Sequence, residues 1–203
     1  MRTYIAPIGY DSARVTRPIL GQGVEPETQI KLLVPEADSD DNRGNQAVDD
    51  VTRMVEQIEP GVSVETTGIP HDDFERAIEL CGSLIDDANG EVVVIFGGGP
   101  RDIFLPLTVA SLSRTDSIDE SYQFSDLDGE VRRRRLPNLT ASIPPQTETT
   151  LRTINDLDTP VSLTDITDSV DVSKSTVTRH VNRLDQGGLV TTETRGKTKV
   201  VEL

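Results

Sequence analysis

Cysteine, histidine, aromatic residues and long apolar runs are all scarce in this 203-residue chain. The single cysteine, Cys81, excludes an intramolecular disulfide, and with two histidines it leaves too few soft ligands for a structural zinc site. We therefore expect neither a metal nor another cofactor. No apolar run approaches the roughly 18 residues of a membrane span, and the first residues lack the apolar segment of a signal peptide. These absences predict a cytoplasmic protein with no membrane partner.

Basic residues are also few, since 20 Lys and Arg against 35 Asp and Glu give a net charge of -15. Such a charge normally argues against a nucleic-acid partner, because DNA repels an acidic surface. The excess is uneven: residues 1–146 carry 13 basic and 26 acidic groups, whereas residues 147–203 carry 7 and 9. The objection therefore does not apply to the C-terminal part of the chain.

Lysine is especially rare, with four residues in the whole chain, and aromatic residues make up 3%. This acid-rich, lysine-poor composition resembles that of haloarchaeal proteins, in which surface carboxylates keep the chain soluble in concentrated salt. On this interpretation the negative charge is a halophilic, archaeal adaptation and not a functional surface.

The first part of the chain alternates apolar runs with stripes at helical spacing. The runs predict four strands, and the stripes over Val48–Ile58 and Phe74–Ala88 predict two of the helices between them. A further helix is expected at 101–113, followed by an edge hairpin from 122 to 136. This order predicts an α/β fold class with a Rossmann-like, mostly parallel sheet and helices on both faces. The predicted strands are Tyr4–Ile8, Ile30–Val34, Val62–Val64 and Glu91–Phe96.

Pro144 and Pro145 break the pattern, and we place the domain boundary there. Residues 1–145 are predicted to form the Rossmann-like domain, and residues 146–203 a smaller domain of three helices and a two-stranded hairpin. The helix, tight turn and second helix of residues 162–186, followed by the hairpin, resemble the winged helix-turn-helix domain of prokaryotic transcription regulators. The matching residues are Leu163, Ile166, Val172–Val181, Leu184, Gly188–Val190 and Arg195–Lys197.

The third of these helices has one apolar face and one polar face. With Val177, Val181 and Leu184 buried, helical geometry places Arg179 and Asn182 on the opposite side, where they could pair with guanine and adenine. A protein-interaction domain with a solvated polar face is the alternative, and we favour DNA because the hairpin turn is basic. The predicted DNA-binding residues are Lys174, Ser175, Thr178, Arg179, Asn182, Arg183, Arg195, Lys197 and Lys199.

Two loops follow predicted strands in the first domain. Gly97-Gly98-Gly99-Pro100-Arg101-Asp102 precedes a helix and could bind phosphate through its backbone N–H groups and Arg101, although a turn that needs glycine for close packing is an equal alternative. Gly9-Tyr10-Asp11-Ser12 follows the first strand. Both loops belong at the carboxyl edge of the sheet, where such folds bind ligands. The predicted ligand-binding residues are Gly9, Tyr10, Asp11, Ser12, Gly97, Gly98, Gly99, Arg101 and Asp102.

These loops and the appended winged helix together resemble the CRISPR-associated Rossmann fold (CARF) regulators. In that family a polar residue after the first strand, matched here by Asp11 or Ser12, and a Gly-Gly-Thr-Lys/Arg-like loop, matched by Gly97, Gly98 and Arg101, form the pocket. Gly99 and Pro100 stand in place of the threonine. The resemblance implies a homodimeric, ligand-responsive transcription regulator that senses a cyclic oligoadenylate or another nucleotide.

An enzyme is the alternative from another class, because some CARF domains cleave the ring they bind. The chain would then be a ring nuclease or another nucleotide hydrolase. Asp11 and Asp102 could form an acid-base pair, but ordinary surface acids are commoner, and we predict no catalytic residue. The four arginines from Arg132 to Arg135 are expected to pair with local carboxylates.

Overall fold

A computed structural model describes residues 1–36, 42–139, 142–157, 159–196 and 198–203. They form two units, Met1–Leu136 and Pro137–Leu203. Leu136 packs against a core cluster of the first unit, and Asn138 lies beside Gly188 of the second. The boundary predicted near residue 145 therefore lies within the second unit. No helix among the described residues is long and apolar enough to cross a bilayer.

Six strands build the sheet of the first unit: β1 (Arg2–Pro7), β2 (Gln29–Pro35), β3 (Ser63–Ile69), β4 (Glu91–Phe96), β5 (Glu120–Phe124) and β6 (Val131–Arg133). Their order is β3-β2-β1-β4-β5-β6. The strands β1 to β5 pair in parallel, and β6 pairs antiparallel with β5 at one edge. The mostly parallel sheet and the edge hairpin are as predicted.

Four helices cover this sheet: α1 (Ala13–Gln22), α2 (Asn42–Ile58), α3 (Phe74–Asp86) and α4 (Arg101–Ser113). Helices α1 and α2 pack on one face, and α3 and α4 on the other. Because alternate strand residues point to opposite faces, Tyr4 and Ala6 join the first core cluster while Ile5 joins the second. Burial on both faces confirms the Rossmann-like architecture.

Helix α1 has only a weak sequence signature. Its buried apolar pair, Val15 and Ile19, is one turn long, and Pro18 stands inside the helix where a proline normally indicates a break. The fold requires a helix here because a parallel neighbour needs a crossover connection. The sequence alone did not show where helix α1 begins and ends.

The second unit comprises α5 (Glu148–Asp156), β7 (Val161–Ser162), α6 (Leu163–Ser169), α7 (Lys174–Gln186), β8 (Thr191–Arg195) and β9 (Thr198–Glu202). The three helices and the β8–β9 hairpin are as predicted, whereas the two-residue β7, which pairs with β9, is an addition. Ser173 caps α7 by accepting a hydrogen bond from the Thr176 N–H at 3.3 Å. Ile154, Ile166, Val177 and Val201 are fully buried in its core.

Candidate ligand cleft and nucleic-acid interface

The carboxyl ends of β1 and β4 form the topological switch point of the sheet. The chain leaves β1 toward β2 on one side and leaves β4 toward β5 on the other. The loops after these strands meet, because a Cβ built on Gly9 would lie 3.3 Å from the backbone nitrogen of Gly99. The two segments predicted to converge therefore lie side by side at the place where open α/β sheets bind ligands.

Close packing explains two of the loop glycines. A Cβ on Gly97 would lie 2.1 Å from the carbonyl oxygen of Arg14, so only glycine lets the loop approach the first turn of α1. Gly99 has φ +85°, and a Cβ there would lie 2.8 Å from that of Pro7. The packing alternative therefore accounts for these glycines even if the loop never contacts a ligand.

A cleft of about 750 Å³ opens beside these loops. This volume lies within the roughly 300–1,000 Å³ of small-molecule sites. Of the nine predicted ligand-binding residues, Gly9, Tyr10, Asp11 and Gly99 line the cleft. The lining does not include the other five, which are Ser12, Gly97, Gly98, Arg101 and Asp102.

Several residues in the lining were not predicted. Arg14 comes from the first turn of α1, Asn45 and Asp49 come from the first part of α2, and Thr66 comes from β3. A signal was available for α2, because a helix that follows a parallel strand begins at the carboxyl edge of the sheet. Its early polar residues therefore belong near the site. Arg14 had no comparable signal, since α1 itself was not located.

Arg14 is the charged centre of the cleft. Its Nε donates a hydrogen bond to Asp11 Oδ2 at 3.3 Å, and its Nη1 donates to Asp126 in the β5–β6 turn. Asp11 Oδ1 also accepts a hydrogen bond from the Ala13 N–H at 3.0 Å and so caps the start of α1. Asp11 therefore has a structural role in addition to its predicted ligand role.

Arg101, the cation expected to hold an anion, is exposed at the first position of α4 and lies outside the cleft lining. None of the described carboxylates pairs with it. Arg43 instead lies near the cleft, with its guanidinium carbon 4.5 Å from the ring centre of Tyr10, which is 60% exposed. The basic side chains nearest the cleft are thus Arg14 and Arg43, and the ligand role of Arg101 stays a prediction.

Helix α7 presents the two faces expected from its sequence. Val177, Val181 and Leu184 are completely buried, while Arg179 and Asn182 are exposed. Lys174, Ser175 and Arg183 are also exposed, and Thr178 is half-buried. The division into a packed face and a polar face is therefore confirmed, and its use in base recognition stays a prediction.

The β8–β9 hairpin contributes less free positive charge than the sequence suggested. Arg195 donates to Glu193 at 2.9 Å and to Glu202 at 3.2 Å. Lys199 Nζ donates to Asn182 Oδ1 at 2.9 Å, so this lysine joins the hairpin to α7. Lys197 lies outside the described residues.

His180 is the buried polar group of the second unit. Its Nδ1 and the Thr150 hydroxyl are joined by a hydrogen bond of 2.8 Å that links α7 to α5. Burial lowers the pKa of His180, and the nearby charges of Arg179 and Arg183 lower it further. This imidazole is therefore neutral at neutral pH and serves packing.

The remaining nucleophile and metal-ligating groups give no site in the described part of the chain. Cys81 is buried on α3, where burial raises the pKa of its thiol to about 11, as expected of a core cysteine. No group of three or more His, Cys, Asp or Glu side chains among the described residues is placed to hold a metal ion.

Comparisons with known proteins match both units separately. A model of the Csa3 CRISPR-associated Rossmann-like domain matches residues 2–131, and a model of the iron-dependent repressor N-terminal DNA-binding domain matches residues 143–197. No curated protein matches the chain. Among solved structures, Enterococcus italicus Csm6 bound to cyclic hexa-2'-fluoro-hexa-dAMP is similar at 10% identity and a TM-score of 0.49, with 92% of this chain and 55% of that chain covered.

This chain therefore spans about half the length of that solved protein. The first family model covers most of the chain and includes every strand of the six-stranded sheet except the last two residues of β6. The chain belongs to the family of the Csa3 CRISPR-associated Rossmann-like domain, and it carries a DNA-binding winged helix-turn-helix domain after that domain.

Proposed function

We propose that this protein is a homodimeric transcription regulator that binds double-stranded DNA through α7 and responds to a nucleotide in its cleft. One observation carries the proposal: a single chain joins a ligand-sized cleft at a switch point to a helix whose exposed polar side chains include Arg179, Asn182 and Arg183. A ligand changes DNA affinity only if it binds the DNA-competent state with a different affinity.

The DNA interface rests on the exposure of α7. Arg179 and Asn182 can reach base edges in the major groove, and Lys174 and Arg183 on its flanks can contact phosphates. Selection of bound duplexes from a random library, repeated with and without cyclic tetra-adenylate, tests this role. Enrichment of a two-fold symmetric site whose recovery changes with the nucleotide supports a regulator. Failure to enrich any sequence would contradict it.

The ligand we propose is a cyclic oligoadenylate. Glycine backbones at the rim permit close approach, and Arg14 and Arg43 supply positive charge in an otherwise acidic unit. A ring of four or more nucleotides exceeds one cleft, so a two-fold dimer that brings two clefts together would bind one ring.

Calorimetry with cyclic tetra-adenylate tests the ligand, and chromatography of the nucleotide afterwards tests the enzymatic alternative. We expect one ring bound per two chains and its recovery intact. Linear products would favour a ring nuclease. Absence of binding would contradict the proposed ligand but not the proposed DNA binding.

The dimer is proposed to form through α4. Leu105 and Val109 are 52% and 41% exposed and lie one turn apart, with Leu112 half-buried on the same side. From Ile103 onward this helix carries no charge, so a second copy can approach it without the repulsion that the acidic surface causes elsewhere. Pro100, which caps α4, also lines the cleft, so the proposed interface begins at the ligand site.

Sedimentation equilibrium tests this interface. Leu105→Glu should convert the dimer to a monomer, because it buries a carboxylate in an apolar contact. Met54→Glu adds the same charge at a 40% exposed apolar position of α2 and should leave the dimer intact. A dimer that survives Leu105→Glu would place the interface elsewhere.

A further inference from the structure

Arg14 is half-exposed, although it lines the cleft and makes two ion pairs. Its side chain is 36% exposed, and those of its partners Asp11 and Asp126 are 56% and 68% exposed. Exposed ion pairs contribute little, typically less than about tenfold in an equilibrium constant. A bidentate pair with a phosphate is stronger than either present contact, because Asp11 and Asp126 each accept from one nitrogen of Arg14, whereas a phosphate can accept from two at once.

We infer that Arg14 exchanges partners: a phosphate group in the cleft takes the guanidinium from Asp126 and thereby releases the β5–β6 turn. The inference rests on the proposed function only in placing a phosphate-bearing ligand in this cleft. It names the residue that recognises the phosphate and the contact that recognition breaks.

The charge of the cleft lining favours such an exchange. Its charged residues are Asp11, Arg14 and Asp49, so the two carboxylates outnumber the guanidinium. With Arg14 held by Asp11 and Asp126, an incoming phosphate meets a neutralised arginine beside a carboxylate. Rotation of the guanidinium away from Asp126 provides donors for the anion without bringing any other basic side chain into the cleft.

The turn that would be released holds together without Arg14. The Gly129 N–H donates to the Ser125 carbonyl at 2.8 Å, and Asp128 pairs with Arg132. The Arg14–Asp126 contact joins the turn to α1, where Arg17 also lies 5.9 Å from the Phe124 ring centre. Breaking the Arg14 contact would therefore loosen the turn from α1 without unfolding it.

The position of this turn in the chain makes the release useful. Strand β6 begins two residues after Gly129 and ends at Arg133, and the second unit starts at Pro137. The β5–β6 hairpin is thus the last element of the first unit before the DNA-binding unit. A ligand contact in the cleft would reach this hairpin through one guanidinium.

Calorimetry on four forms of the full-length protein tests the exchange, with pyrophosphate and cyclic tetra-adenylate as separate probes. Asp126→Asn removes the competing carboxylate and should bind both probes about threefold to fivefold more tightly than the wild type. Arg14→Gln should bind them about tenfold more weakly or worse. The matched control Asp128→Asn removes a carboxylate from the same turn that pairs with Arg132, and it should change neither affinity.

Hydrogen exchange supplies the second measurement. Pyrophosphate should speed amide exchange over residues 125–130 in the wild type, whereas in Asp126→Asn this segment should exchange fast before the probe is added. A gain in affinity cannot come from misfolding, so Asp126→Asn decides the matter even if Arg14→Gln is unstable.

The outcomes separate this inference from the proposed function. Tight binding of the ring that is the same in wild type and Asp126→Asn would overturn the exchange and leave the proposed function standing. Pyrophosphate that binds more tightly to Asp126→Asn, with no binding of the ring to any form, would support the exchange and overturn the proposed ligand. Absence of binding by either probe would overturn both.

Discussion

Arginine is used differently in the first unit and on helix α7. In the first unit six guanidinium groups are held by carboxylates, in the pairs Arg2–Glu91, Arg14–Asp126, Arg53–Asp50, Arg114–Asp86, Arg132–Asp128 and Arg133–Glu120. On α7 no described carboxylate pairs with Arg179 or Arg183. An acidic protein thus leaves the two arginines of α7 without a described carboxylate partner, whereas Arg152 and Arg195 of the same unit are paired.

Local sequence accounts for part of this difference. Arg53 has Asp50 three positions before it, and Arg132 has Asp128 four positions before it, so both pairs form between near neighbours. The helix neighbours of Arg179 at these spacings are Ser175, Thr176, Asn182 and Arg183. A basic face in an acid-rich chain therefore depends on which positions of one helix lack carboxylates.

The largest expected effect comes from removing a presented arginine. Arg179→Ala should weaken binding to the selected site by roughly 1–3 kcal/mol and relax base preference at one position. Arg152→Ala is the matched control, since Arg152 is exposed on α5 and pairs with Glu148. Fluorescence anisotropy with the selected and a random duplex measures both. Equal losses on the two duplexes would show that Arg179 contacts only the backbone.

Salt should stabilise the acidic unit by several degrees. Crowded carboxylates repel one another, and at about 1 M KCl the Debye length falls to about 3 Å, which screens this repulsion. The melting temperature should rise from low salt to that concentration, and Asp49→Asn should reduce the rise. Five aspartates are crowded in one stretch of the sequence, namely Asp38, Asp40, Asp41, Asp49 and Asp50, of which the first three lie outside the described residues. A melting temperature that does not change with KCl concentration would argue against a halophilic adaptation.

Freeing a held arginine in the second unit should give a gain of a few fold. Glu193→Gln with Glu202→Gln removes both carboxylates from Arg195, so the hairpin gains a free cation. DNA affinity at low salt should rise by up to about fivefold, with a steeper salt dependence. Glu148→Gln, which frees Arg152 on α5, is the control. No change in the salt slope would mean that the hairpin lies away from phosphates.

The smallest effect concerns acid. The pKa of His180 is lowered from its ordinary 6.5, so protonation favours the unfolded chain, and stability present above pH 6.5 is lost as the pH falls below it. Thermal melts between neutral pH and about pH 5.5 should show this loss, and His180→Asn should reduce it, because asparagine does not titrate. A loss of the same size in His180→Asn would contradict this assignment.

Sequence reasoning succeeded where one residue pattern decided the structure. The apolar spacing of Val177, Val181 and Leu184 fixes which side of α7 is buried, and Ser173 marks where the helix begins. The strand runs likewise predicted the sheet. Each of these features depends on residues that are close together in the chain.

The cleft was predicted only in part, because its lining comes from segments far apart in sequence. The loops after β1 and β4 were predicted because ligands bind at the carboxyl edge of such sheets. Arg14 was missed because it lies in α1, a helix that the sequence did not indicate since Pro18 stands inside it. The pairing of Arg14 with Asp126 joins residues 112 positions apart. No spacing rule connects such residues, and only the packed β5–β6 hairpin brings them together.

The hydrogen bond between Thr150 and His180 has a mechanical consequence. Both residues are buried, so water cannot easily replace either partner, and the contact couples α5 to α7. Helix α5 is the first α-helix of its unit, so a shift of α5 that preserves this contact would also shift α7. Such a shift would change the position of the exposed Arg179, the residue proposed to contact bases.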